Sequence, residues 1–307
     1  MWVWDAPTGV YKNHALSSSI REAAAADALF MKYVSPESGY GKGRGQSVTI
    51  TRVMQLPLAG RVSESERLPT GRPVVDTKQV TVSEWGFKTE LTEFEESLTH
   101  FDLRSKFQRM LRDQMRLTLD KMVADALKLT PIKMWSTSAT AATIVNTGTF
   151  GATATNNLNV KFLGQIRDYI YGTLKAPGFK NGMLIGILST LAARGLKNDA
   201  DYINWFSPQN ADALETGRLK DIEGIALFEC NHFNALANAA GASTATGEAI
   251  FFGADAGFLA TVTDPELRVG ISEDLGRFRQ IGWYGIIEAG LTWERPAEAR
   301  VLHWGSA

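Results

Sequence analysis

The side chains that could bind a metal ion or act as a nucleophile are scattered through this chain. The four histidines, His14, His100, His232 and His303, are far apart, so no two have the short helical spacing of a metal-binding pair. Only Cys230 and His232 lie close together, and a single cysteine excludes an internal disulfide and a thiolate cluster. A buried thiol beside an ordinary loop histidine explains that pair better than a metal or nucleophile role. We therefore expect no metal, no cofactor and no catalytic centre.

A glycine-rich run from Gly39 to Gly45 includes Lys42 and Arg44 and invites comparison with a phosphate-binding loop. It has neither the dinucleotide-binding spacing nor a Gly-Lys-Ser/Thr ending, and a strand pattern follows it instead of a helix. We interpret it as a hinge. The carboxylate clusters at Glu93-Glu95-Glu96 and Glu273-Asp274 fit helix starts and solvated turns, although acid/base pairs that converge only in the fold stay open.

The charge of the chain is nearly balanced, with 32 basic and 33 acidic residues and a net charge of −1. No strong field therefore favours nucleic acid or an anionic membrane as a tightly held partner. The basic residues of one long helix leave two interpretations open, a solvated face or a face toward nucleic acid or an acidic partner. These residues are Arg104, Lys106, Arg109, Arg112, Arg116 and Lys121.

The sequence predicts secondary structure most clearly between Ser47 and Pro131. Alternating residues predict a strand at Ser47–Met54 and a return strand at Lys78–Phe87. Between them, Pro57 to Thr77 is charged and interrupted by glycine and proline, so it cannot bury a core of its own. We predict a long projecting hairpin whose use is contact with another subunit, because a bare two-stranded ribbon is only marginally stable in water.

A long helix follows the hairpin without a linker. Thr92 to Glu95 forms a capping box, and Asp102 can cap a second helix that ends before Pro131. Residues 102–129 would span about 42 Å at about 1.5 Å per residue. One apolar stripe runs along this helix through Phe107, Leu111, Met115, Leu119, Met122, Ala126 and Leu129.

The remaining segments predict an α+β protein. A capping box at Ser19–Glu22 opens a helix that continues to about Val34. The uncharged segment 134–160 reads as a mobile loop, with a small hairpin turning near Asn146 to Gly148 as the alternative. The other predicted elements are a helix at Val160–Lys175, a buried strand at Gly182–Leu188, a helix at Ser189–Lys197, strands at Ile225–Glu229 and Ala249–Phe252, and closing strands within Leu267–Trp304.

No stretch approaches eighteen uninterrupted apolar residues, and the first residues lack the pattern of a signal peptide. We expect a protein that is neither exported by that route nor held in a membrane.

The order of these elements resembles the major capsid proteins of tailed bacteriophages with the Hong Kong 97-type fold, and within them the coat proteins of short-tailed phages. The resemblance covers nearly the whole chain and lies in the order of motifs that are individually loose. The motifs are Gly41 to Gly45, Val48 to Val53, Trp85-Gly86-Phe87, Thr92 to Glu95 and the closing segment Gly276 to Gly285.

The resemblance implies four parts: an N-terminal arm (1–46), an extended loop (47–91), a peripheral domain with the long spine helix (92–182 and 263–307) and an axial domain (183–262). It implies pentamers and hexamers that close an icosahedral shell around double-stranded DNA. The implied location is the virion, after assembly in the host bacterial cytoplasm. The implied partners are a portal protein, packaged DNA contacted without sequence specificity, and in some phages a decoration protein.

Two departures from the family pattern matter. The founding member of the fold cross-links its shell through a lysine of the extended loop, but no lysine occurs from Val53 to Thr77. The loop's charged residues are expected to form ion pairs between subunits instead; they are Arg61, Glu64, Glu66, Arg67 and Arg72. The 46 residues before the first strand are too few for a fused scaffolding domain, so we predict a separate scaffolding protein. The alternatives are an encapsulin-like nanocompartment shell and a cytoplasmic α+β enzyme.

Overall fold

The computed structural model describes most of the chain. The described residues are 25–37, 45–64, 67–68, 70–98, 102–179, 182–206, 219, 221–239, 246–271, 274 and 277–306, without the side chains of 204–206.

The helices of the described part include one 26-residue helix and several short ones. They are a 3₁₀ turn at Phe30–Tyr33, α1 at Glu93–Leu98, α2 at Leu103–Lys128, α3 at Val160–Arg167 continued by a π-helical turn at Asp168–Thr173, α4 at Thr190–Lys197 and α5 at Ala200–Phe206. The strands are β1 Ser35–Glu37, β2 Ser47–Val53, β3 Val75–Thr81, β4 Ser83–Thr92, β5 Lys133–Trp135, β6 Thr143–Val145, β7 Leu184–Ser189, β8 Ile225–Cys230, β9 Ala249–Phe252, β10 Gly257–Val269, β11 Phe278–Leu291 and β12 Val301–Trp304.

The strands form three sheets, and the fold is α+β as predicted. A four-stranded sheet has the order β1-β10-β11-β4, and a six-stranded sheet has the order β6-β5-β12-β9-β7-β8. Strands β2 and β3 form a separate antiparallel ribbon, with Ser47 opposite Thr81 and Val53 opposite Val75.

Helix α2 is the element that joins the two larger sheets. Its N-terminal half packs through Leu111 on Ile281 and Trp283 of the four-stranded sheet. Its C-terminal half lies in a core that also contains Ile187 of the six-stranded sheet and Ala289 of the four-stranded sheet. Because one stripe of α2 is buried against both sheets, the helix fixes their relative position, as the predicted stripe requires.

The six-stranded sheet is covered on its second face by α3 and α4. Phe162, Ile166 and Leu196 of these helices pack with Phe251 and Trp304 of the sheet. The middle strands β7, β9 and β12 are buried on both faces and therefore read as continuous apolar runs.

Two of the predicted helix caps are confirmed, the capping box at Thr92 to Glu95 and the cap at Asp102. In the capping box, the Thr92 amide donates to Glu95 Oε2 and the Glu95 amide donates to Thr92 Oγ1, both at 3.2 Å. The Ser105 amide donates to Asp102 Oδ1 at 3.2 Å at the start of α2. The predicted strands at 225–229 and 249–252 are confirmed, and the strand predicted at Gly182–Leu188 is confirmed from Leu184 onward.

The return strand of the hairpin was predicted wrongly. The segment 78–87 is not one strand: β3 pairs with β2, and after a break at Val82 the chain continues as β4, which pairs with β11. Alternation continues through the break, so the sequence pattern does not reveal that the partner changes.

Three further expectations need correction. Residues 25–29 are not helical and only Phe30–Tyr33 forms a 3₁₀ turn; the capping box at Ser19–Glu22 lies outside the described residues. The segment 134–160 does contain a hairpin, formed by β5 and β6, but it turns between 136 and 142. Leu129 is 79% exposed, because α2 ends at Lys128 and Leu129 is already its C-cap.

Candidate inter-subunit surface

The ribbon of β2 and β3 packs on the four-stranded sheet through one face. Val48 is buried with Phe258 and Ala260, and Val80 packs beside them. Gly290 makes this approach possible, because a Cβ there would lie 2.8 Å from the Phe258 ring and 2.9 Å from Val80 Cγ2. The face involved is the one opposite α2, since α2 packs on the alternate residues of β11.

A group of charged side chains holds the root of the ribbon. Arg52 is 6% exposed; its Nη1 donates to the Thr292 carbonyl oxygen at 2.8 Å and its Nη2 to Asp76 Oδ2 at 2.6 Å. Arg295 Nη2 lies 3.3 Å from the same Asp76 oxygen, and Lys78 pairs with Glu294. Burial and the positive charge of Arg52 lower the pKa of Lys78. This root cluster (Arg52, Asp76, Lys78, Glu294 and Arg295) fixes the direction in which the loop leaves the body.

Beyond the root, the described residues 54–64, 67–68 and 70–74 form no helix or strand. The loop exposes large apolar side chains: Leu58 is 95% exposed, Leu68 77%, Val74 58% and Leu56 51%. Such side chains, clustered on one projecting segment, are typical of a surface that another molecule covers. We call Leu56, Leu58, Leu68 and Val74 the loop patch.

The loop residues predicted to form ion pairs are on the surface. Arg61, Glu64, Arg67 and Arg72 are exposed, and none of them is ion-paired with another residue of the described chain. Glu66 lies outside the described residues. The structure thus places four of the five on the projecting loop, and their pairing between subunits stays a prediction.

An apolar groove lies on the α2 side of the four-stranded sheet. It has a volume of about 290 Å³, between β4 and the start of α2. Phe87 and Met110 on its rim are 51% and 56% exposed. Sequence reasoning placed Phe87 in a strand and Phe107 in the apolar stripe but did not find the groove, because it forms only where β4 and α2 meet. The groove residues are Phe87, Thr89, Phe107, Met110, Leu111 and Gln114.

The loop root and the groove lie toward opposite ends of the four-stranded sheet. Phe87 is opposite Trp283 on β11, whereas the root contacts Thr292 just after the other end of that strand. Nine residues of extended strand separate these points by about 30 Å. The ribbon and the groove also lie on opposite faces of the sheet. The two apolar surfaces therefore lie on different parts of the same chain.

Cys230 and His232 lie beside a buried carboxylate, that of Asp120. Asp120, which is fully buried, accepts hydrogen bonds at Oδ1 from the amides of Phe30 (2.7 Å) and Met31 (3.2 Å), and its Oδ2 lies 3.6 Å from His232 Nδ1. Burial raises the pKa of the Cys230 thiol to about 11, which keeps it protonated at neutral pH. Within the described residues, no three His, Cys, Asp or Glu side chains are grouped as a metal site requires.

None of the described helices has the length and apolarity needed to cross a membrane.

The chain resembles solved phage capsid structures over nearly its full length. The capsid asymmetric unit of cyanophage Pam1 matches with a TM-score of 0.74 and 15% identity, covering 98% of this chain and 99% of that one. The capsid of Ralstonia phage GP4 matches with a TM-score of 0.66 and 13% identity, covering 99% and 97%. The capsid of Helicobacter pylori bacteriophage KHP30 matches with a TM-score of 0.67 and 14% identity, covering 96% and 95%. No protein-family model matches this sequence, and no curated protein matches it significantly. The chain has the Hong Kong 97-type capsid fold, as the sequence resemblance implied.

Proposed function

We propose that this chain is the major capsid protein of a tailed bacteriophage and forms the pentamers and hexamers of an icosahedral head that encloses double-stranded DNA. The observation that carries the proposal is the pair of apolar surfaces, the loop patch and the groove, on a chain with the fold of phage capsids. A shell protein requires such complementary surfaces on different parts of its own body.

In this mechanism, the loop patch of one copy covers the groove of its neighbour. The contact is heterologous, because different surfaces of the two copies meet, so repetition closes a ring when the rotation between copies allows it. Burying one leucine side chain contributes about 1.5–3 kcal/mol. Each contact can be modest, because a subunit in a closed ring contacts several neighbours at once.

The charged loop residues would set the register of this contact. Exposed ion pairs contribute at most about 1 kcal/mol each, so apolar burial supplies most of the attraction. Like-charge contacts penalise wrong registers, which makes charge a device for specificity. We assign this role to Arg61, Glu64, Glu66, Arg67 and Arg72.

The four-part division also belongs to the proposal: an arm (1–46), an extended loop (47–91), a peripheral domain (92–182 and 263–307) and an axial domain (183–262). The six-stranded sheet at the centre of the axial part also takes in β5, β6 and β12, which lie outside 183–262. We further propose a separate scaffolding protein, a portal protein and in some cases a decoration protein as partners, and assembly in the host bacterial cytoplasm before the shell becomes part of the virion.

The loop contact is tested with Leu58→Ser combined with Leu68→Ser. We expect a folded subunit with an unchanged circular dichroism spectrum, and few or no shells by negative-stain microscopy after co-expression with a scaffolding protein. Leu129→Ser is the matched control, because Leu129 is 79% exposed but lies outside both surfaces. Normal shells from the double variant would contradict the assigned contact.

The contents of the particles separate this proposal from the nanocompartment alternative. A phage head assembled during infection contains DNA, whereas an encapsulin-like shell contains protein cargo. Nucleic-acid extraction and mass spectrometry of purified particles distinguish the two. An ordinary enzyme would instead elute as a small oligomer on size exclusion.

A further inference from the structure

Strand β4 forms one edge of the four-stranded sheet. Its ten residues pair with β11 along one side, and no strand of the described chain pairs with its other side. The strand at the opposite edge of this sheet, β1, has only three residues. Native proteins keep free strand edges short or cover them, because a row of unpaired N–H and C=O groups pairs readily with another chain. A free edge as long as that of β4 therefore indicates a place where another segment is added.

The side chains of this edge differ between its two faces. On the face away from α2, Lys88 Nζ lies 3.1 Å from Glu90 Oε1, and charged side chains of this kind protect an edge from pairing. On the α2 face, Phe87 is 51% exposed, and Thr89 also lines the groove. The groove side of the edge has no such protection. A strand added to β4 is therefore expected to turn apolar side chains toward α2.

The first limb of the extended loop, residues 55–60, has the side-chain pattern of such a strand. The last hydrogen bond between the two limbs runs from the Met54 amide to the Val74 carbonyl oxygen at 2.9 Å. Beyond it, residues 55–60 form no backbone hydrogen bond within the described chain. Leu56 and Leu58 are 51% and 95% exposed, and they are the large apolar residues of the limb. In an extended chain these two side chains point to the same face.

Pro57, between the two leucines, agrees with an edge strand. Proline has no N–H, so in sheets it occurs where its nitrogen faces away from the neighbouring strand. Successive residues of a strand direct their backbone groups to opposite sides, just as their side chains point to opposite faces. With the nitrogen of Pro57 toward solvent, the N–H and C=O groups of Leu56 and Leu58 all point at one neighbouring strand. The backbone and the side chains of the limb therefore fit the same docking position.

We propose that residues 55–60 of one copy add as an edge strand to β4 of the adjacent copy, with Leu56 and Leu58 in the groove beside Phe87. The limb forms no helix or strand within its own chain and becomes a strand only in this contact. The four-stranded sheet thereby gains a fifth strand from its neighbour. This inference rests on the proposed function and deepens it, because it adds backbone hydrogen bonds of one register to the apolar contact.

Proline substitutions in the loop test the hydrogen bonds. Leu58→Pro removes the side chain and the N–H that faces β4, whereas Leu58→Ala removes the side chain alone. Ala59→Pro is the matched control, because it introduces the same ring where the N–H points away from β4. We expect the subunit concentration needed for shell assembly to be about tenfold higher for Leu58→Pro than for Leu58→Ala, since the lost bond recurs at every contact. Ala59→Pro should assemble like the wild type.

Light scattering during assembly with a scaffolding protein measures these concentrations. Unchanged circular dichroism spectra and thermal midpoints of the subunits are expected, because Leu58 is 95% exposed. Equal concentrations for the two Leu58 variants would overturn the inference. An increase for Ala59→Pro as large as that for Leu58→Pro would also overturn it.

Hydrogen exchange tests the pairing in the wild-type chain, without a variant. Peptides that cover 55–60 and 83–92 are followed by mass spectrometry in unassembled subunits and in shells. We expect both peptides to gain slowly exchanging amides on assembly, because both partners of the new pair become hydrogen-bonded. The peptide of β11 is the control and should change little, since β10 and β4 already lie on its two sides. A slowed loop peptide with an unchanged β4 peptide would show side-chain contact alone and overturn the inference.

The outcomes separate this inference from the proposed function. If shells containing DNA form and the β4 peptide exchanges as it does in the free subunit, the proposed function stands and the strand addition is wrong. If the wild-type chain forms no shells with any scaffolding protein, the proposed function fails and the strand addition fails with it.

Discussion

Arg52 donates a hydrogen bond from Nη1 to the carbonyl oxygen of Thr292, 2.8 Å away and 240 residues later in the chain. This bond fixes the first strand of the ribbon to the end of β11. Asp76, on the second strand, accepts from the same guanidinium at 2.6 Å. The projecting loop therefore begins from a rigid root, although its described residues form no helix or strand. A rigid root reduces the conformational entropy lost when the loop reaches a neighbour.

Removing the guanidinium tests this root. We expect Arg52→Met to lower the free energy of unfolding by about 2 kcal/mol, because hydrogen bonds to a charged group are lost and Asp76 keeps only Arg295. Arg295→Met is the control and should cost less than about 1 kcal/mol, since that pair is exposed. Chemical denaturation measures both values. Equal losses in the two variants would show that burial of Arg52 does not matter.

Charge reversal tests the register of the loop contact. Arg61→Glu combined with Arg67→Glu should leave the thermal midpoint unchanged, because neither side chain pairs with another described residue of its own chain. We expect shell formation to be impaired, and negative-stain particle counts measure it. Normal particles from this double variant would count against the role assigned to the charged loop residues.

Alanine substitutions at two glycines, one crowded and one in open space, test the packing around the six-stranded sheet. Gly186 lies in the buried strand β7, where a Cβ would lie 2.8 Å from the Phe251 ring and 2.9 Å from Leu227 Cδ2. Gly186→Ala should therefore cost about 1–3 kcal/mol. Gly164 of α3 has nothing within 4 Å of its Cβ position, so Gly164→Ala should stabilise by about 0.5–1 kcal/mol. A stabilised Gly186→Ala variant would show that the described packing is wrong.

Acid should destabilise the fold through a buried cluster of Glu248, His303, Lys128 and Lys133. Burial lowers the pKa of His303 to about 4 despite the nearby Glu248 carboxylate. Burial raises the pKa of Glu248, but the adjacent His303 ring and Lys128 ammonium outweigh this and bring it to about 2. Below their ordinary pKa values both groups bind protons more readily in the unfolded chain, so stability falls with falling pH.

The histidine part of this loss is expected between pH 6.5 and about 4, the interval between the ordinary and folded pKa of His303. The glutamate part follows between pH 4.5 and about 2. In His303→Asn, the fall of the thermal midpoint over the first interval should become smaller. The second interval should shrink as well, because the His303 ring is one of the groups that lower the pKa of Glu248. Differential scanning fluorimetry across pH measures this, and an unchanged first interval would contradict the assignment.

Local structure was predictable from the sequence where the signal is local. The capping box at Thr92 to Glu95 and the cap at Asp102 depend on residues three positions apart, and both form. The buried strand β7 follows from a continuous apolar run, and the stripe of α2 follows from apolar periodicity. The extended loop between two paired strands follows from its charge, glycine and proline content.

Long-range pairing was not predictable from the same signals. Strands β3 and β4 alternate without a visible break, but β3 pairs with β2 and β4 with β11, nearly 200 residues later. The groove depends on β4 and α2 meeting, and the root cluster depends on Arg52 reaching Thr292. Alternation specifies which face of a strand is buried and not which strand lies beside it.

The central claim is that the extended loop of one copy covers the groove of the next, and cross-linking between differently marked copies tests it most directly. A Leu58→Cys chain is mixed with a Met110→Cys chain, assembled, and treated with a short bismaleimide. The native Cys230 is buried and should not react with the reagent. We predict covalent dimers in the mixed shells, none when either chain is assembled alone, and closed covalent rings from the double variant. A double variant that cross-links only within one chain and stays monomeric would contradict the account.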